Sequence, residues 1–98
     1  ASVQKFRYHL ALSLLAQGRA AEAAPLAQGL DAAALAPAEQ TDDWPSRLAL
    51  LNARLARARG DEAGARALVA ESRAALRSPQ RWRLDRLPVQ IEEFGAGR

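Results

Sequence analysis

Gln17-Gly18-Arg19-Ala20-Ala21-Glu22-Ala23 is answered further along the chain by Arg59-Gly60-Asp61-Glu62-Ala63-Gly64-Ala65, with the two glycines 42 residues apart. In both stretches a glycine interrupts a run of helix-forming residues, where it can take the left-handed conformation that ends a helix. An alanine follows five residues on, small enough for a partner helix to approach closely, and Ala27 or Val69 stands four residues beyond it. The pattern is a helix, a tight turn and a second helix, written twice.

Around these turns the apolar spacing is helical. Residues 3 to 17 place Phe6, Leu10 and Leu14 on one stripe and Tyr8, Leu12 and Leu15 on another, so the first helix is apolar on nearly every side. Such a helix calls for packing on both faces, from a preceding helix or from another chain. Residues 20 to 35 continue with Ala23, Leu26, Ala27 and Leu30, with Pro25 near the first turn or two and Gly29 weakening the far end. The run from Ala36 to Asp43 is a loop, with Asp43 as N-cap for a helix begun at Trp44-Pro45 and carried by Leu48, Leu51 and Leu55 to Arg59. Residues 62 to 77 set Ala65, Leu68, Val69, Ser72 and Leu76 on one face. Ser78-Pro79 then begins a last helix over 79–94 with Leu84, Leu87, Ile91 and Phe94, broken near Pro88.

Composition agrees. Of 98 residues, 24 are Ala, 15 Leu and 13 Arg, against five β-branched residues, which leaves little from which to build a sheet. The expected fold is therefore all-α. Several chemistries are closed off as well. There is no Cys and a single His9, which excludes a disulfide framework, a thiolate or imidazole zinc site and a cysteine nucleophile. The pairs Asp42-Asp43, Asp61-Glu62 and Glu92-Glu93 are adjacent, so on a helix their side chains diverge. Gly95-Ala96-Gly97 lacks the strand and helix of a nucleotide loop. No catalytic residue, metal or cofactor is expected. The longest apolar stretch, Leu10 to Ala16, is too short to span a bilayer, so no membrane insertion is expected, and the compartment expected is the cytoplasm. The opening Ala1-Ser2-Val3 has the look of a cloning scar or a processed end, and the chain reads as the C-terminal part of a longer protein.

The string Gly18-Arg19-Ala20-Ala21-Glu22-Ala23-Ala24-Pro25-Leu26, with Glu22-Ala23-x-Pro25-Leu26 at its centre and the 42-residue spacing, resembles the kinesin-light-chain variety of tetratricopeptide repeat, common in bacterial regulatory proteins. The resemblance covers residues 5 to 77. It implies antiparallel helical hairpins stacked as an α-solenoid fragment: one repeat over about 3–35, a loop over 36–43, a second repeat over about 44–77 and a capping helix over about 79–94.

It further implies a noncatalytic protein–protein interaction or scaffold module that holds a protein or peptide partner on the face lined by the first helix of each repeat. Carried over position by position, that face comprises Lys5, Tyr8, Leu12 and Leu15, then Ser46, Ala49, Ala53 and Arg57. The same residues of the first helix would serve self-association into a homo-oligomer, or packing against further repeats. An alternative is a regulatory or substrate-recruiting segment of a larger bacterial signalling enzyme, such as a serine/threonine kinase. A third is a basic nucleic-acid adaptor. The net charge is +3, and Arg73, Arg77, Arg81, Arg83 and Arg86 cluster around Trp82, although a solvated helix face explains these arginines without a ligand.

Overall fold

The computed structural model describes residues 2–31, 43–77 and 86–97, and within them the chain is all helix, with no strand. The described residues form five helices, in chain order α1 (Ser2–Ala16), α2 (Ala20–Gln28), α3 (Trp44–Ala58), α4 (Glu62–Ala75) and α5 (Leu87–Gly95). α1 packs on α2, α3 packs on α4, and α5 lies against the second pair.

The two turns are the same object. Gly18 and Gly60 both take positive φ, 76° and 86°. The Arg19 N–H reaches back to the Leu14 carbonyl at 2.8 Å and the Gly18 N–H to Leu15 at 3.0 Å. In the second turn, Asp61 reaches Ala56 at 2.9 Å and Gly60 reaches Arg57 at 3.0 Å. These paired bonds satisfy carbonyls that the end of a helix leaves without partners. Every participant in the second turn stands 42 residues after its counterpart in the first. The next helix is then started in two different ways. Arg19 clasps the Glu22 carboxylate with both Nε and Nη2, at 2.6 and 2.7 Å, whereas the Asp61 carboxylate caps α4 by accepting from the Gly64 N–H at 2.8 Å.

α2 is shorter than the spacing over 20–35 predicts. Gly29 ends it, and α1 supplies the polar groups its last turn needs. The Arg7 guanidinium donates to the Pro25 and Leu26 carbonyls, the Gln4 side chain donates to the Gly29 carbonyl at 2.8 Å, and Gln4 Oε1 accepts from the Asp31 N–H.

Side-chain burial shows one core built twice. The first cluster joins Tyr8, Ala11, Leu14, Ala23 and Ala27 of the first pair to Trp44, Leu51 and Leu55 of α3. The second joins Leu50, Ala53, Ala56, Ala65 and Val69 of the second pair to Leu87, Ile91 and Phe94 of α5. The five residues of each pair correspond at the same 42-residue interval. Ala11 and Ala53 are fully buried, as are Ala23 and Ala65, so the positions that need a small residue recur together. α5 also repeats the start of α3: Asp43-Trp44-Pro45 and Arg86-Leu87-Pro88 each set a residue at φ 57° or 52° before a large apolar residue and a proline.

This start differs from the expected helix over 79–94. With Arg86 left-handed, no helix runs through it, and the Ser78-Pro79 start lies outside the described residues. Pro88 sits in the first turn of α5 rather than at a break.

Asp43 is fully buried at the head of α3, but it does not cap that helix with its side chain. Its carboxylate accepts from the Arg77 N–H at 2.7 Å, tying the start of α3 to the residues after α4. Near this point Ser46 and Ser72 exchange bonds across the pair. Each hydroxyl donates to the other residue's carbonyl at 2.8 Å, a buried link available only to small residues at a close crossing. The outer stripe of α1 is left uncovered: Val3, Phe6 and Leu10 are exposed, while Tyr8, Ala11 and Leu14 face the core.

The crossing of α3 and α4 makes a direct prediction. Ala53→Leu, which places a larger side chain where none fits, should lower unfolding stability in urea by about 1–3 kcal/mol. Ala67→Leu on the exposed side of α4 should change it by no more than about 0.5 kcal/mol.

Candidate functional site

A groove of about 470 Å³ lies where α1, α3 and α5 come side by side. α1 contributes Leu12, Leu15 and Ala16; α3 contributes Arg54, Arg57 and Ala58; α5 contributes Gln90, Glu93 and Phe94. The α1 and α3 sets are again the same three positions, 42 residues apart. The groove runs along the edges of the two clusters: Leu12 and Leu15 pack against the first, and Phe94 belongs to the second.

One wall is apolar, from the half-buried Leu12 and Leu15. The floor is cationic. Arg57 pairs with Glu62 through two nitrogen–oxygen contacts of 3.0 Å, donates from Nη1 to the Phe94 carbonyl at 2.9 Å and lays its guanidinium 3.8 Å from the centre of the Phe94 ring. Its charge is therefore largely answered within the protein. Arg54 differs: its Nη2 donates to the neutral Gln90 side chain at 2.9 Å, and its buried Nε has no acceptor. No carboxylate pairs with Arg54 among the described residues, although Glu93 stands exposed on the rim. The site can thus offer a partner an apolar wall beside an arginine without an anion, a combination that fits an apolar side chain next to an acidic group.

The residues expected from the sequence scatter around this groove. Leu12, Leu15 and Arg57 line it. Lys5 is half-buried elsewhere on α1, and Tyr8 is buried, meeting Trp44 edge to face at 4.9 Å. Ser46, Ala49 and Ala53 belong to the interior: Ser46 and Ala53 are fully buried and Ala49 is 5% exposed. For Ala53 the displacement has a simple cause. Matching Leu12 to Ala53 uses an interval one residue short of the 42 fixed by the glycines. One residue turns a helix by about 100°, which exchanges groove for core. The glycine interval itself matches Leu12 to Arg54, the groove residue missed by the sequence reading. Gln90, Glu93 and Phe94 lie outside the two repeated stretches that fix the interval, although α5 too runs into a left-handed glycine, Gly97, whose N–H reaches the Phe94 carbonyl.

Of the basic cluster, Arg73, Arg77 and Arg86 are exposed, while Arg81 and Arg83 lie outside the described residues together with Trp82. Among the described residues no group of three His, Cys, Asp or Glu side chains is placed to hold a metal, and no helix is long and apolar enough to cross a membrane. Comparison with protein-family models, curated proteins and solved structures finds no match to this chain.

The ion pair at the groove gives a pH signature. Hydrogen bonding from Arg57, aided by the charges of Arg57 and Arg66, holds the Glu62 carboxyl below its ordinary range against a smaller opposing effect of desolvation. A carboxyl lowered in the folded state contributes stability that is complete above its unfolded value and is lost as pH falls through its folded value. In urea unfolding at a series of pH values, the stability difference between the wild type and Glu62→Gln should be constant near neutrality and shrink as the solution is acidified through the carboxylate range.

Proposed function

We propose that this chain is a noncatalytic interaction module of the tetratricopeptide-like kind: two antiparallel helical hairpins and a capping helix that hold a segment of a protein partner in the groove between α1, α3 and α5. One observation carries the reading. The groove is lined by the same three positions of α1 and α3, on two helices whose other faces make the same core twice. A unit repeated in this way aligns its first helices side by side, and an elongated surface shared by successive units suits an extended segment better than a compact small molecule.

The side chains narrow the partner's chemistry. Leu12 and Leu15 favour an apolar residue, and Arg54 favours a carboxylate near it. An arginine already part-buried and oriented by Gln90 loses less on engaging a carboxylate than one free in water. Recruitment of substrates for a larger signalling enzyme is one setting in which such a module operates, with the same groove as the working surface.

Selection from a random peptide display library on the 98-residue protein tests this. The expected result is a set of peptides enriched in an apolar residue close to Asp or Glu, whose binding falls at least about tenfold in both Leu15→Glu and Arg54→Glu, the loss of one buried contact or charge pair being worth that much. Ala21→Glu, on the exposed side of α2, should leave binding unchanged, with circular dichroism showing all three variants folded. Peptides that bind both groove variants as tightly as the wild type, or no enrichment at all, would contradict the proposal.

A further inference from the structure

We propose that α5 is a separately opening wall of the groove, held shut by Arg57. The helix has nine residues, too few to be stable alone in water, so its order comes from docking. Its apolar anchor is three side chains, Leu87, Ile91 and Phe94, set on the second helix pair. Its polar attachments include two arginines one turn apart on α3, Arg54 to the Gln90 side chain and Arg57 to the Phe94 carbonyl and ring. Arg57 is itself steadied from the start of α4 by Glu62. One side chain therefore joins the last turn of α3, the first turn of α4 and the last turn of α5. The carbonyl it holds lies at the C-terminal end of α5, where the helix presents partial negative charge to a cation.

α3 and α4, by contrast, are locked together along their length by buried Ala49, Ala53, Ala65, Val69 and the reciprocal serine bonds. α5 is thus joined to the second pair more lightly than α3 and α4 are to each other. Opening at this joint carries Gln90, Glu93 and Phe94 away from the groove and uncovers Leu50, Ala53 and Val69 on the second pair. The groove is complete only while the latch is closed, so anything that weakens the hold of Arg57 on Phe94 dismantles one wall without unfolding the rest. This property belongs to the fold and does not depend on what the groove binds.

Amide hydrogen exchange of the full chain, resolved by residue, tests the proposal. In the wild type, the amides of Ile91, Glu93 and Phe94 should exchange faster than those in the middle of α3 and α4, as expected of an element that opens below the global unfolding limit. Arg57→Gln, which removes the ion pair, the bond to Phe94 and the ring contact together, should speed the α5 amides by about tenfold and leave those of α1 and α2 unchanged. Glu62→Gln removes only the steadying ion pair at the surface, and should speed the same amides by less. α5 amides that exchange at the same rate as those of α3 and α4 in the wild type and both variants would show that α5 leaves only on global unfolding. An Arg57→Gln protein with wild-type α5 exchange would show that Arg57 is no latch. Either result overturns the inference.

Discussion

The structure depends on α3 burying two opposed faces at once. Trp44, Leu51 and Leu55 close the core of the first pair, while Leu50, Ala53 and Ala56 build the core of the second. A helix so used has little surface left over. On the groove side that remainder is Arg54, Arg57 and Ala58, and this is why the floor is made of arginines. Their long stems can lie along apolar neighbours while the guanidinium groups reach the edge of the packing. The constraint also sets where large residues can stand. The face of α3 turned to the first pair carries Trp and Leu, whereas the face pressed on α4 is held to Ala and Ser over much of its length, because there the two helices run close.

Much of this was legible in the sequence, because the code for it is local. The glycine turns, the all-helical composition and the small residues at positions 23 and 65 each depend on neighbours a few places away. What was not legible depended on register or on contacts between distant segments. A carry-over one residue short placed Ser46, Ala49 and Ala53 on the partner face, when the structure buries them and brings out Arg54. The start of α5 at Arg86-Leu87-Pro88 was hidden by the more familiar Ser78-Pro79 signal, although it repeats Asp43-Trp44-Pro45. Asp43 stands at the N-cap as expected, but its side chain accepts from the Arg77 N–H, 34 residues away, instead of from the first turn of the helix. The apolar girth of α1 calls for cover on both faces, from a preceding helix or another chain; within the described residues Tyr8, Ala11 and Leu14 face the core, Val3, Phe6 and Leu10 are exposed, and Leu12 and Leu15 line the groove.

The same economy links the fold to the proposed activity. A groove assembled from equivalent strips of successive helices needs no residues dedicated to building it, since the repeat that makes the core also aligns the strips. Its third wall, α5, is docked by Leu87, Ile91 and Phe94 and bonded by Arg54 and Arg57, the second of which also bridges the α3–α4 turn. The proposed binding surface and the proposed moving part therefore meet at Arg57.

The central claim is that α3 is a shared wall, making two cores into one cooperative body. The most direct test is the unfolding of Val69→Ala in a Trp82→Phe background, where Trp44 is the remaining indole and reports on the first core alone. Removing two methyl groups from the second core should cost on the order of 2 kcal/mol. The account predicts that the Trp44 fluorescence midpoint in urea falls together with the main circular dichroism transition, although Val69 lies in the other cluster. A Trp44 transition that stays at its parent midpoint while the dichroism splits in two would show independent pairs, and would contradict the claim.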